Sequence, residues 1–540
     1  MKKFVLLIIL LLSISQIFAD GAKYLIIAPD SFVQALQPLA DWKTRKGVKA
    51  MIVPLSVTGN TAAQIKDYIL HAYNNWEIRP EYILLAGRGT LIPSWSIGSV
   101  PTDDGYADMA GNYQIELGIG RFPATTVDQI NNIVAKTLSY ERTPFLVDTT
   151  WYRKGTIIVR EDGVIANDSC YWNITRFTLE QMQNASYLHI DSFSRIRGDS
   201  ARHVENAITD GRAYVAYLGQ CVGNWWNPFS IDTAHINNGF KLPIVISIDL
   251  IINLSLGTSY LGENLLNAGS VTNPKGTVGI FGVSVTYSFN PTRITLKGIV
   301  TKGFFSSVFS DGMHRLGDAA KRAKFILDSI QPSGYNVNFY REWNLLGDPE
   351  LNLWTAVPKT LTVTYDSIIP PTPTNVTVNV ISNGIPIPNA LICLMKDSTI
   401  YEYGYSDSNG TKVFSISPQD TGTISITVTA RNCHPFEGII RVLSAGVEEI
   451  GVAKGNCAMT LGVKVYPNPA KSVIRISYPF AVKEIKIFDV AGKLIKEIAS
   501  VRNGQRNDKL VRISLEGIKS GVYFIQTGDE RIIKKLVITK

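Results

Sequence analysis

Tyr24-Leu25-Ile26-Ile27-Ala28 is the stretch on which the reading of the fold turns. Its apolar residues run on without alternation, as in a strand covered on both faces. The residues that follow change period. Phe32, Leu36, Leu39 and Trp42 recur at helical spacing within Phe32 to Lys46, and Gly47 stops the helix. Lys49 to Pro54 then reads as a second strand. Thr61 to Asn75 is a second helix, with Ile65, Tyr68, Ile69 and Ala72 on one face, and Tyr82 to Ala86 is a third strand closed by Gly87. Strands joined by helices of this length predict a parallel sheet with helices on both faces.

The pattern extends outward from there. Residues 20–150 form one α/β region, and residues 151–354 read as a second. In the second, Gly155 to Arg160, Ala213 to Leu218, Pro243 to Ile248 and Gly276 to Val283 are strands, and Ala201 to Asp210 is a helix. The last three of these strands are each followed by glycine or a polar residue, and such strand ends are where open α/β sheets place their sites. After Trp354 the period drops to two, as in Thr360 to Tyr365, Asn375 to Val380 and Gly422 to Val428, with turns at Asn383-Gly384 and Asn409-Gly410. Residues 355–454 thus predict an all-β sandwich. Residues 461–540 predict another, which continues to the final Lys-rich strand.

The N-terminus carries Lys2 and Lys3, then an apolar run from Phe4 to Ile14, then Ile17-Phe18-Ala19 before polar Asp20. This is the layout of a cleavable signal peptide over residues 1–19. The run is short for the roughly 30 Å of a bilayer core. Later, Pro243, Ser247, Asp249, Asn253 and Ser255 interrupt the apolar stretch Leu242 to Leu256, which reads as a buried strand and loop; no transmembrane segment is expected after cleavage. Export permits disulfides. Of five cysteines, Cys393 and Cys433 share one β-rich region and can pair, and the odd count leaves one over.

The formal charge is +8. Leu461 to Lys540 alone holds 16 Lys and Arg against 7 Asp and Glu, a net +9. These charges alternate with apolar residues, as in Val482-Lys483-Glu484-Ile485-Lys486-Ile487, and read as the solvent face of a sheet. No zinc-finger or helix-turn-helix motif accompanies them, so no nucleic-acid partner is expected.

Motifs of hydrolases and nucleotide enzymes are missing: no Gly-x-Ser-x-Gly, Walker loop, dinucleotide fingerprint or His-Glu-x-x-His occurs. The six histidines form no ligand cluster by spacing. The strand-end segment Tyr217-Leu218-Gly219-Gln220-Cys221 offers a cysteine, which needs a base to become thiolate. Its neighbour Gln220 is no base, and His235 is the weak alternative. Asp103, Asp104, Asp108 and Asn112 fall within ten residues in a Gly-containing loop. Two readings stay open there: a solvated acidic turn, or a structural calcium site built of oxygen ligands. No other cofactor is expected.

Several blocks resemble the gingipain-type (family C25) cysteine peptidases. They are Tyr24-Leu25-Ile26-Ile27-Ala28; Leu39-Ala40-Asp41-Trp42-Lys43-Thr44-Arg45-Lys46-Gly47; Pro80-Glu81-Tyr82-Ile83-Leu84-Leu85-Ala86-Gly87; Gly118-Ile119-Gly120-Arg121-Phe122-Pro123; and Asn344-Leu345-Leu346-Gly347-Asp348-Pro349. The resemblance implies a caspase-like α/β fold over about Tyr24 to Leu353. It also implies a catalytic His at the Gln220 position, a catalytic Cys at the Leu250 position and an orienting acid at Glu116. Here the first two are substituted and the third is kept, which implies a pseudo-peptidase. The other reading is an active cysteine endopeptidase of extracellular proteins, using Cys221 with His235 in a rearranged site. Val465-Tyr466-Pro467-Asn468-Pro469, Asp489-Val490-Ala491-Gly492-Lys493-Leu494 and Gly521-Val522-Tyr523-Phe524-Ile525 resemble the sorting domains of type IX secretion cargo. That implies the secretion machinery as a partner and a secreted or surface location. The middle β region resembles an immunoglobulin-like module. An extracellular protein or cell-envelope ligand is the expected partner of the α/β cleft.

Overall fold

The computed structural model describes residues 21–97, 100–221, 226–254, 259–285, 289–330, 337–443, 464–466, 470–477, 484–489, 494–499, 510–527 and 532–539. The signal-peptide reading and Cys457 lie outside them.

A ten-stranded sheet dominates. Its strands are β1 (Tyr24–Ala28), β2 (Ala50–Pro54), β3 (Tyr82–Ala86), β4 (Gly118–Phe122), β5 (Lys154–Arg160), β6 (His189–Ser194), β7 (Tyr214–Gly219), β8 (Ile244–Leu250), β9 (Gly279–Val283) and β10 (Trp343–Gly347). They lie in the order β2-β1-β3-β4-β10-β9-β8-β7-β5-β6. The two α/β regions read from the sequence are therefore halves of one sheet. The last strand, β10, returns to the centre, antiparallel to β9 and paired with β4 at Leu346–Arg121.

The principal helices are α1 (Val33–Arg45), α2 (Ala62–Asn75), α3 (Val127–Glu141), α4 (Ile165–Asn184), α5 (Ala201–Asp210), α6 (Leu261–Asn267), α7 (Pro291–Phe309) and α8 (Leu316–Ile330). Side chains alternate across a strand, so Tyr24, Ile26 and Ala28 join one core with Leu36 and Leu39 of α1. Leu25 and Ile27 join another with Ile65 and Ile69 of α2. A third core sets Ile157 and Val159 of β5 against Ile174 of α4 and Phe304 of α7.

The strand ends are sorted by long-range contacts. Near the carboxyl end of β4, Arg121 donates to Gly87 O beyond β3 at 2.6 Å and pairs with Asp103 at 2.7 Å. The Asp103 amide donates to Asn344 at the start of β10, and Asn344 donates to Ser284 beyond β9. Arg88 reaches Ser259, beyond β8, at 3.2 Å. The carboxyl ends of β3, β4, β8 and β9 thus gather on one edge. On the other, the Tyr24 hydroxyl donates to Asp348, just past β10, at 2.8 Å. Lys43 of α1 lies buried there among Glu141, Asp348 and Glu350, at 2.6–2.7 Å from each.

Residues 355–443 form two sheets around one core. Thr374–Ser382 leads the smaller sheet, and the five-stranded sheet includes Leu391–Lys396, Gly422–Ala430 and Cys433–Val442. Val376, Val378 and Val380 meet Ile392, Leu394, Ile424 and Ile426 inside. This unit docks on α1. Gly47, at φ +97°, lets the chain turn where an added Cβ would lie 3.2 Å from the Tyr403 Cβ. Glu437 takes both Arg45 and Arg142. Cys393 and Cys433 do not pair; both are free. Cys393 sits opposite Thr427 and Cys433 opposite Ala430 on the far side of the same strand. Two strand spacings, about 9.6 Å, exceed the reach of a disulfide.

From Glu448 onward the chain makes a separate unit. Its described strands form a sheet of Lys464–Tyr466, Val473–Ser477 and Leu510–Ser514 and a second of Leu494–Ala499, Glu484–Asp489, Gly521–Thr527 and Ile532–Ile538. Ile474, Ile485, Ile487, Ile513, Ile525 and Leu536 make its core. No helix among the described residues is long and apolar enough to cross a membrane.

Candidate active site at the carboxyl edge of the sheet

β7 and β8 end side by side, and their tips lock together. The Cys221 amide donates to Asp249 Oδ2 at 2.7 Å, and the Cys221 thiol donates to Leu250 O at 3.1 Å. The Tyr217 hydroxyl donates to Gln220 O, and its ring stacks on Trp226 with centroids 4.5 Å apart. Beneath the tips lie three buried charged groups. Lys297 Nζ, from α7, is 3.6 Å from Asp249 and 3.5 Å from Glu342. All three residues are at most 1 % exposed. Burial pushes the Glu342 carboxyl up to about 7, against the pull of Lys297.

A nucleophilic thiol needs a base beside it and a lowered pKa. Cys221 has neither. Burial, followed by the Asp249 carboxylate, holds its thiol well above the ordinary value. Its sulfur faces a carbonyl. His235, the alternative base, sits in a short turn with Nδ1 3.1 Å from Glu205, and no contact among the described residues links it to Cys221. Residues 222–225, 255–258 and 286–288 lie outside the described set and contain no Cys or His.

Short helix α6 frames the site, held at both ends. At its start Glu263 accepts from the Asn253 and Tyr260 amides at 2.6 and 2.7 Å, and burial lifts its carboxyl to about 7. At its other end Lys136 Nζ donates to the carbonyls of Leu266, Lys275, Ala268 and Leu265 at 2.5–3.5 Å. Burial alone draws the Lys136 ammonium down to about 7.

Glu116 is not brought to Gln220. It precedes β4, at the opposite edge, where its carboxylate accepts from the Met109 amide at 2.6 Å. The orienting role implied by the resemblance therefore finds no geometry. The four oxygen-bearing side chains of the calcium reading are each engaged by protein donors or by a neighbouring amide. Asp103 is taken by Arg121, and Asp104 by Lys324 at 2.5 Å. Asp108 accepts from the amides of Gly111, Asn112 and Tyr113, and Asn112 from that of Gln114. The loop is tied by protein donors, and among the described residues no three His, Cys, Asp or Glu side chains converge as metal ligands. Sequence reading missed Lys297, Glu342, Lys136 and Glu263. The available signal was a lone lysine in an apolar helix, as in Leu296-Lys297-Gly298-Ile299-Val300 and Val134-Ala135-Lys136-Thr137-Leu138.

The model of peptidase family C25 matches residues 19–354, the whole ten-stranded sheet with its edge site. The chain belongs to peptidase family C25. A second model, the secretion system C-terminal sorting domain, matches residues 464–539. Among relatives of this C25 member, Gingipain R1 of Porphyromonas gingivalis is 22% identical over 483 residues, covering 85% of this chain and 44% of its own length. Lys-gingipain of the same species is 21% identical over 478 residues, covering 80% and 26%. The chain thus spans less than half the length of these relatives. The crystal structure of the Arg-specific cysteine proteinase gingipain R has the same fold, with a TM-score of 0.69 at 18% identity, over 78% of this chain and 98% of that one. The sorting domain and the gingipain relatives mark this C25 member as a secreted or cell-surface protein served by the type IX secretion machinery.

Proposed function

We propose that this C25 protein does not cleave peptide bonds and acts outside the cytoplasm by binding or as surface structure. The observation that carries the reading is the locked contact of Cys221 with Leu250 O, at strand tips that bear Gln220 and Leu250. Covalent catalysis requires a nucleophile, and loss of it removes the pathway, not just part of the rate. The β unit at 355–443 serves as an immunoglobulin-like spacer docked on the α/β part. Extracellular proteins or envelope components are the expected ligands.

The test is to incubate the purified secreted chain with a mixed peptide library and, separately, with a thiol-directed activity probe. No cleavage and no probe labelling at Cys221 is the expected result. Cleavage that is abolished by Cys221→Ala would overturn the proposal and favour a rearranged peptidase.

A further inference from the structure

The ten-stranded sheet has two outer strands, β2 and β6. An outer strand leaves a row of main-chain N–H and C=O groups without ladder partners, and folded proteins blunt such edges with lysine, proline or a covering segment. β2 is blunted. Its first amide, at Ala50, donates to Thr44 Oγ1 at 3.0 Å, the strand ends on Pro54, and a helical turn at Leu55–Thr58 follows at once. β6 reads His189-Ile190-Asp191-Ser192-Phe193-Ser194, with no lysine and no proline, and it pairs on one side only, with β5.

The surroundings of β6 are apolar and open. Ile190 and Phe193 are half-buried against the two cores beneath them. Leu188, just before the strand, is 78 % exposed, and Ile196, just after it, is 70 % exposed. The one carboxylate of the strand is satisfied within its own chain: Asp191 accepts from Arg212 Nε at 2.7 Å and from Thr156 Oγ1 at 2.9 Å.

Two properties select a second copy of this chain as the occupant of the edge. The first is placement. Leu188 and Ile196 each stand four positions from Ser192. Antiparallel pairing of β6 with itself, about a twofold axis at Ser192, sets Leu188 of each copy opposite Ile196 of the other and covers both at once. The second is charge. Residues 188–199 carry Asp191 and Asp199 against Arg195 and Arg197, so apart from His189 the edge is neutral and does not repel its own copy. His189, which comes opposite Arg195, has its Nε2 2.8 Å from Asp191 of its own chain.

We propose that β6 pairs antiparallel with β6 of a second copy across this axis, so that one sheet runs through two chains. The pairing turns the two strand-tip edges in opposite directions. A strand of this length extends about 20 Å. Such a contact is smaller than the roughly 1,200–2,000 Å² of a stable complex, so the dimer is reversible, with a Kd on the order of 10–100 μM.

The experiment is sedimentation equilibrium of the full secreted chain from about 1 to 200 μM. A monomer–dimer equilibrium is expected, and Leu188→Lys and Ile196→Lys should each weaken it at least about tenfold. Both positions are exposed, and melting curves show that each variant is folded. Orientation is read from a mixture of Leu188→Cys and Ile196→Cys chains. Mild oxidation should join position 188 of one chain to position 196 of the other, as mapped by mass spectrometry. Three results overturn the proposal: a chain that stays monomeric throughout, a dimer that both lysine variants leave unchanged, or capture of a free peptide of residues 187–197 by a chain that does not self-associate. The last would assign the edge to an extended segment of another partner.

Discussion

The sulfur of Cys221 lies 3.1 Å from the main-chain oxygen of Leu250, so the one cysteine at the strand tips spends its proton on a carbonyl. Burial and the Asp249 carboxylate both disfavour its thiolate. In the folded protein at pH 8, iodoacetamide should therefore modify Cys221 at least about tenfold more slowly than in the urea-unfolded chain. Mass spectrometry of the peptide carrying residue 221 reads the rate. Equal rates would show an accessible, ionisable thiol.

Glu342 gives the fold a pH signature. Its folded value, about 7, lies above the ordinary 4.5. Between those values the folded chain keeps a proton that the unfolded chain has released. The stability this gives is complete below about pH 4.5 and is lost as pH rises through 7, by at most about 3 kcal/mol. Glu342→Gln removes the titration. The melting temperature of the variant relative to wild type should rise between pH 5 and pH 8, and a constant difference would contradict the assignment.

Lys43 should prove costly to replace. It is the buried cation shared by Glu141, Asp348 and Glu350. Lys46 and Arg315 also reach Glu141 and Glu350, so removing Lys43 leaves Asp348 as the buried carboxylate without its cation, at a cost of about 3–5 kcal/mol. Urea denaturation of Lys43→Met measures it. A loss below about 1 kcal/mol would mean that the carboxylates find other partners.

The C-terminal unit should be dispensable for folding and required for delivery. A chain ending at residue 443, expressed in the native host, should keep the melting temperature of the α/β part but fail to reach the surface or medium. Normal export of the truncated chain would contradict a sorting role. A collapse of its melting temperature would instead make residues 461–540 a packing partner.

Much of the sheet was legible because its strands are unbroken apolar runs. Tyr24–Ala28 and Tyr82–Ala86 stand as read, and α5 spans Ala201–Asp210 as expected. Helix α4 escaped notice because its buried face mixes Tyr171 and Ile174 with Asn167, Thr175 and Thr178, so no apolar stripe marks it. The single sheet was hidden for another reason: β10 crosses more than 200 positions of sequence to reach β4, and local pattern carries no trace of that pairing. The same holds at the sites. Asp103 and Asp104 form an acidic cluster in sequence and two separate ion pairs in space, because Arg121 and Lys324 come from distant elements. Glu116 satisfied a pattern of blocks, but it stands before the start of β4 and so at the far edge. That Gln220 and Leu250 stand at two strand ends could be read directly, since it depends only on residue identity and on where an apolar run stops.

Lys136 has a consequence for where this protein can work. Its ammonium fills a ring of main-chain oxygens of the kind that often receives a calcium ion. An ion can be drawn off by a chelator or diluted away, whereas a side chain is covalently tethered. The chain segment that frames the strand tips therefore owes that anchorage to nothing dissolved around it, and in surroundings of fluctuating mineral content EDTA should leave it in place.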